Sequence, residues 1–234
     1  MALNEKVALV TGGTGALGRV VVARLSREGA TVYASFLDER ELQDLPEVFQ
    51  ASVVTLKADV TTEAGVERLY DEIISRSSRI DIVVNGVGGF LPRKQITEVS
   101  LEEWESMMNI NLKSTFLSMR ESLRRMKGQK YGRIINMSAM VGLSPTPGRA
   151  PYAISKAGVS LLTEIVAQEQ KGSGITINAI APSIIATPAN LASMPGQDSS
   201  KWVRPEEIAD LIVYLCSPSA GAITGTTFKA YGGV

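Results

Sequence analysis

Tyr152 and Lys156 stand four residues apart. In a helix that spacing brings a phenol and an ammonium to one face, with Cβ atoms about 5 to 6 Å apart. Such a pair is an acid/base device. At ~5 Å and an effective dielectric of ~20 the Coulomb term is about 3 kcal/mol, enough to lower a tyrosine pKa by about two units in a partly desolvated site. The chain has no histidine and Cys216 is its only cysteine. Imidazole triads, thiolate dyads and zinc sites of the usual ligand spacing are therefore excluded, and no metal is expected. Proton transfer falls to Tyr, Lys, Asp or Glu.

A second chemical signal lies near the N-terminus, where Gly13-x-Gly15-x-x-Gly18 follows a β-branched run and opens a stretch of helical spacing. Glycines so placed let the backbone pass close to a pyrophosphate and aim helix N-terminal amides at it, so Gly12, Thr14, Gly15, Leu17 and Gly18 are candidate dinucleotide contacts. The cofactor's ribose belongs at the end of the second strand, which carries Phe36 and Leu37, with Asp38 next. No Arg or Lys occupies the glycine loop or residues 36 to 39, which favours NAD(H) over NADP(H). Arg19 and Arg40 are the residues that could reverse this preference.

These groups need a scaffold. Residues 6–11, 31–36, 52–57, 80–85, 133–137, 175–180 and 226–229 read as strands separated by helical stretches or shorter crossovers. The expected fold is a single Rossmann-like, doubly wound α/β domain over residues 1–234, with a seven-stranded parallel sheet covered by helices on both faces. Right-handed crossovers place ligands at the carboxyl ends of the strands, where the glycine loop, Asn85, Ser138 and Pro182 all fall. Residues 101–127 read as one long helix whose Met107, Met108, Met119 and Met126 are core, with Glu102, Glu103 and Glu105 favouring its N-terminal dipole. Residues 183–204, rich in Pro, Ser, Asn and Gly, form the longest irregular stretch and read as a lid on the substrate pocket.

Composition narrows the partners. A chain of 234 residues, 44% hydrophobic, with 24 acidic and 24 basic side chains, fits one globular domain and lacks the clustered cations of a nucleic-acid surface. No apolar run approaches the ~20 residues that span a bilayer, and no signal peptide is recognisable, so a soluble cytoplasmic protein acting on a small molecule is expected.

Taken in order, the motifs resemble those of the short-chain dehydrogenase/reductase family along essentially the whole chain. Beyond the glycine loop and Tyr152-x-x-x-Lys156, Asp59 and Val60 match the family's adenine-side pair, and Asn85, Gly86 and Val87 resemble its Asn-Asn-Ala-Gly turn. Asn111 matches its catalytic asparagine, while Pro182, Ile185 and Thr187 fall in a segment similar to Pro-Gly-x-x-x-Thr, which holds the nicotinamide carboxamide. The resemblance implies that Tyr152 donates or accepts the proton, Lys156 lowers its pKa and holds the ribose, and Asn111 positions a water leading from Lys156 to solvent. It also implies a homotetramer or homodimer built on the helices around 101–127 and 151–171.

One position breaks the pattern. The family's catalytic serine, which hydrogen-bonds the substrate carbonyl, aligns with Ala139. Ser138 or Ser144 is the candidate substitute, and without one, loss of a preorganised donor costs about 10² to 10³ in rate. The dihydropteridine reductase branch shares this absence and resembles the chain further at Gly88, Gly89 and Phe90, at Thr146-Pro-Gly148, and at Thr187, Pro188 and Trp202. A quinonoid pterin is already polarised, so it needs a carbonyl clamp less. The leading reading is an NAD(P)(H)-dependent oxidoreductase, with pterin reduction as an alternative and a non-catalytic dinucleotide-binding redox sensor as an alternative of another class.

Overall fold

The computed structural model describes residues 1–43 and 45–233. The chain begins β1 (Val7–Thr11), α1 (Ala16–Arg27), β2 (Thr31–Phe36), α2 (Glu47–Ser52), β3 (Val53–Lys57), α3 (Glu63–Ser77) and β4 (Ile82–Asn85). It continues through α4 (Leu101–Met107), α5 (Ser114–Arg125), β5 (Gly132–Met137), α6 (Met140–Leu143), α7 (Ala150–Glu169), β6 (Ile175–Pro182), α8 (Pro188–Ser193), α9 (Pro205–Cys216) and β7 (Thr227–Ala230). The strands form one parallel sheet in the order β3-β2-β1-β4-β5-β6-β7. Strand order reverses between β1 and β4, which opens the crevice where such sheets take ligands.

Period-two alternation along the strands builds two cores. In β1, Ala8 and Val10 pack with Val21, Val22 and Leu25 of α1 and Ile208, Ile212 and Leu215 of α9. The intervening Val7 and Leu9 pack with Leu69 and Tyr70 of α3 and Leu117 and Met119 of α5. The expected methionines divide accordingly: Met107, Met119 and Met126 are buried and Met108 is partly so. No helix among the described residues is long and apolar enough to cross a membrane.

A buried polar chain runs across the middle. Asn85 Nδ2 donates to Asn136 Oδ1 of β5 at 2.8 Å, Asn136 Nδ2 donates to Thr163 Oγ1 of α7 at 2.8 Å, and Thr163 donates onward to the Val159 carbonyl. It fastens α7, the helix of Tyr152 and Lys156, to the strand ends.

Two expectations need correction. The stretch 101–127 is not one regular helix: Met108–Lys113 is a π-helical segment between α4 and α5. Ser114 Oγ donates to the Ile110 carbonyl at 2.6 Å and Thr115 Oγ1 to the Asn111 carbonyl at 2.8 Å, so side chains satisfy carbonyls inside the irregular turn. Residues 183–204 are also more ordered in form than a structureless loop. Thr187 caps α8, Pro188 starts it, Ile185 bridges to Val203, and Trp202 is buried.

Candidate active site

The glycine loop is built by close approach. Gly12 has φ of +64°, a conformation that suits glycine, and its N–H donates to Ser35 Oγ. A Cβ at Gly13 would lie 2.7 Å from the Ala34 Cβ, and one at Gly18 only 2.2 Å from the Gly12 carbonyl oxygen. Gly15 and Leu17 lie at the exposed start of α1, whose cap uses no side chain, leaving its first amides toward the crevice. Thr11 Oγ1 accepts from the Gly86 and Val87 amides, joining the turn after β4 to this loop.

At the end of β2, Phe36 is buried and Leu37 is 59% exposed. Asp38 does not face the glycine loop. It caps the short 3-10 turn Glu39–Leu42 and pairs with Arg40, which holds its carboxyl below the usual range. The acid at the loop is Glu41, absent from the sequence-level candidates. Its carboxylate accepts from Thr14 Oγ1 at 2.6 Å and from the Leu37 and Asp38 amides at 3.2 and 2.9 Å. Burial opposes its ionisation, yet these hydrogen bonds leave its pKa lowered overall. Arg19 is turned onto the Thr14 carbonyl. Asp59 accepts from the Thr61 amide and hydroxyl, and Val60 is buried beside it.

Lys156 is buried, and its Nζ donates to the Met137 carbonyl at 2.8 Å. Desolvation lowers its pKa to about 8. Tyr152 is partly buried, and its pKa is raised, chiefly by burial, with Arg149 the charge that acts in the opposite direction. The expected lowering of Tyr152 by Lys156 is therefore not what the geometry gives; the ammonium is directed at a strand-end carbonyl and is itself destabilised by its surroundings. Asn111 is buried, accepting from the Gly89 amide and donating to the Gly89 carbonyl, both at 3.0 Å, and donating to Ser155 Oγ at 3.2 Å. A Cβ on Gly88 would sit 2.8 Å from Asn111 Oδ1 and 3.0 Å from Lys156 Nζ, so both polar groups border one small space.

Ser138, a catalytic candidate, is placed elsewhere. It is 3% exposed, its Oγ donates to the Lys156 carbonyl at 2.9 Å and accepts from Ser160 Oγ at 2.8 Å. That hydroxyl docks α7 on β5 and does not serve as a carbonyl clamp, because neighbouring residues at a strand end face opposite sides. Ala139 caps α6, and Ser144 is exposed at the far end of that helix. On the other side of the crevice Pro182 ends β6, Ile185 bridges to Val203, and Thr187 Oγ1 accepts from the Asn190 amide.

These residues fit a dinucleotide. The cradle at Gly13 and Gly18 has no room for side chains, Asn85 Oδ1 is buried without a hydrogen bond, and the buried Lys156 amine makes one hydrogen bond out of three. Ligand hydroxyls and amides are the groups these atoms lack.

Comparison with known proteins agrees with this geometry. Residues 6–197 match the family described as short chain dehydrogenase. The chain is 33% identical over 243 residues to a 3-oxoacyl-(acyl-carrier-protein) reductase of Synechocystis sp., covering 100% of this chain and 98% of that protein. It is 33% identical over 245 residues to a cyclopentanol dehydrogenase of Comamonas sp., covering 99% and 97%. A solved structure, that of a mutant short-chain dehydrogenase/reductase of Serratia marcescens, superposes with a TM-score of 0.89 at 31% identity, over 100% of this chain and 99% of that one. The chain belongs to the short-chain dehydrogenase family and is an NAD(P)-dependent oxidoreductase of that type.

Proposed function

We propose that the protein interconverts a small carbonyl and its alcohol, or reduces an activated ring substrate, with Tyr152 as the proton donor or acceptor. The observation that carries this reading is the buried Lys156 ammonium beside Asn111, at the carboxyl edge of the sheet and one helical turn from Tyr152. When bound, the nicotinamide supplies or accepts the hydride. The chain's own residues do the rest. Gly12, Thr14, Gly15, Leu17 and Gly18 bind the pyrophosphate; Phe36, Leu37, Asp59 and Val60 flank the adenosine; Asn85, Gly86 and Val87 line the middle of the crevice; Pro182, Ile185 and Thr187 hold the carboxamide. Lys156 donates to ribose hydroxyls and Asn111 keeps the Gly89 turn and α7 in place around it. Residues 183–204 close over the pocket, and the protein works in the cytoplasm as a homo-oligomer on a small-molecule substrate.

Glu41 supports NAD(H) over NADP(H). A carboxylate held ionised against the glycine loop accepts from a free 2′-hydroxyl and repels a 2′-phosphate, while Arg40 is engaged by Asp38. Glu41→Gln should narrow the NADH to NADPH affinity ratio by about tenfold, read by cofactor fluorescence titration; an unchanged ratio removes Glu41 from this role.

Pterin reduction is the second reading, favoured by the missing hydroxyl at Ala139 and the 62% exposed Phe90 beside the crevice. The test is NADH oxidation with a quinonoid dihydropterin, run beside NADPH and a panel of simple ketones, for wild type and Tyr152→Phe. Loss of the general acid should lower turnover by about 10² to 10⁴ while NADH still binds. Zero turnover on every acceptor before and after the change, with NADH bound, would instead identify a redox sensor.

A further inference from the structure

Arg149 sits where helix electrostatics disfavour it. It occupies the N-cap of α7, where a cation opposes the helix dipole, and its side chain caps no amide. It makes one hydrogen bond, Nη1 to the Leu91 carbonyl at 2.8 Å, and no ion pair among the described residues. A guanidinium carries five N–H donors, so most of its donor capacity is uncommitted while the group is only partly exposed. Natural sequences break local rules of this kind mainly at functional sites.

Its position supplies the function. N-cap and N3 residues of one helix are neighbours, and the N3 residue here is Tyr152. The bond to Leu91 stretches the side chain across from α7 to the loop after β4, and the Lys94 amide to Gly148 carbonyl bond at 3.1 Å ties the same two segments together. The guanidinium thus spans from the start of α7, three residues before Tyr152, to the loop after β4. After β5 the side chain at 139 is a methyl group, and the hydroxyl of Ser138 is spent on α7.

We propose that Arg149 donates to the substrate oxygen at the reacting carbon, in place of the serine hydroxyl that Ala139 lacks. This rests on the oxidoreductase reading above. In the reductive direction a hydride from the reduced nicotinamide forms the new C–H bond, the C=O π pair moves to oxygen, and the Tyr152 proton forms the O–H bond. Arg149 keeps its protons throughout and stabilises the negative charge as it gathers on oxygen. The substrates so selected have an exposed, strongly polarised oxygen at or next to the reacting carbon.

The experiment is a double-mutant cycle on whichever ketone of the panel shows Tyr152-dependent turnover; turnover of the pterin alone, which is not reduced at a carbonyl, overturns the proposal. Arg149→Ala should lower kcat/KM by about 10² to 10³, the usual effect of losing one preorganised donor, and leave NADH affinity by fluorescence titration within about twofold. Ala139→Ser should change the wild type by less than about threefold but restore at least about tenfold in the Arg149→Ala background, because the new hydroxyl takes over the vacated role. Arg149→Gln, which retains a donor to Leu91, replaces the alanine variant if that one fails to fold. Turnover that stays within about threefold of wild type, or a loss not rescued at position 139, overturns the proposal. Absence of any Tyr152-dependent turnover in the wild type overturns the underlying reading instead.

Discussion

At the scale of the residue, the site is governed by desolvation. Lys156 carries its charge in a buried position with one hydrogen bond, and its pKa is lowered to about 8. Below that pH the folded state must hold a costly ammonium that the unfolded chain hydrates freely. The penalty is full near pH 7 and is relieved as pH rises from about 8 toward the ordinary lysine value of about 10.4, where the unfolded state binds more protons than the folded one. Lys156→Met should therefore stabilise the cofactor-free protein at pH 7, by up to about 3 kcal/mol, while removing activity. The difference in Tm from wild type should shrink above pH 8. A difference independent of pH between 7 and 9 would contradict the assigned burial. Comparing variants matters, since Cys216 and Tyr70, both buried and pushed up to about 12, favour the folded state less as pH passes their ordinary values. Sequence spacing made the Tyr152 and Lys156 pair legible, but not the direction of the phenol's shift. The Coulomb argument assumed an ammonium directed at the phenol, and only the fold shows it directed at Met137. Glu41 and Arg149 were illegible for a similar reason: neither lies in a chemical motif, though the Asp38-x-x-Glu41 spacing is a capping-box signature that returns the acid toward the loop.

At the scale of the element, backbone contacts set tolerances. A Cβ on Gly142 of α6 would fall 2.7 Å from the Ala157 backbone nitrogen and 2.8 Å from the Lys156 carbonyl carbon. Neither atom is the free end of a flexible side chain, so α6 and α7 must separate. Gly142→Ala should cost about 1 to 3 kcal/mol in denaturant unfolding and lower activity through displacement of Lys156. Unchanged stability would mean that the two helices have slack. All seven strands lie within two residues of their sequence-level bounds, because β-branched runs closed by glycine or polar turns admit few alternatives. The π-helical turn at Met108–Lys113 left no such trace. The pattern from Leu101 to Lys127 is compatible with an unbroken helix, and the extra residue per turn depends on Asn111 reaching Gly89, a contact between distant parts of the chain. Thr187-Pro188, a cap followed by a first-turn proline, was the available signal for α8 inside the stretch read as irregular.

At the scale of the whole molecule, α7 leaves Ile154, Leu161 and Ile165 exposed on one side, and Phe116 of α5 is exposed as well. Spacings of seven and four residues make this a helical stripe, which accords with the proposed self-association through these helices. Light scattering should give a dimer or tetramer, and Leu161→Glu with Ile165→Glu should shift it toward monomer. A monomeric wild type at micromolar concentration would remove oligomerisation from the proposed function.

The Asn85 to Asn136 bond has a consequence for how the molecule forms. The two residues are register partners in the parallel pairing of β4 with β5. The aliphatic pairs before them, Val83 with Ile134 and Val84 with Ile135, would tolerate a shifted alignment nearly as well, since one aliphatic resembles another. The amides would not: a slip strands two polar groups in the interior, at about 1 to 3 kcal/mol each. The pair thus penalises misaligned pairing of β4 with β5. Replacing both with leucine should leave a stable sheet that refolds more slowly and less faithfully.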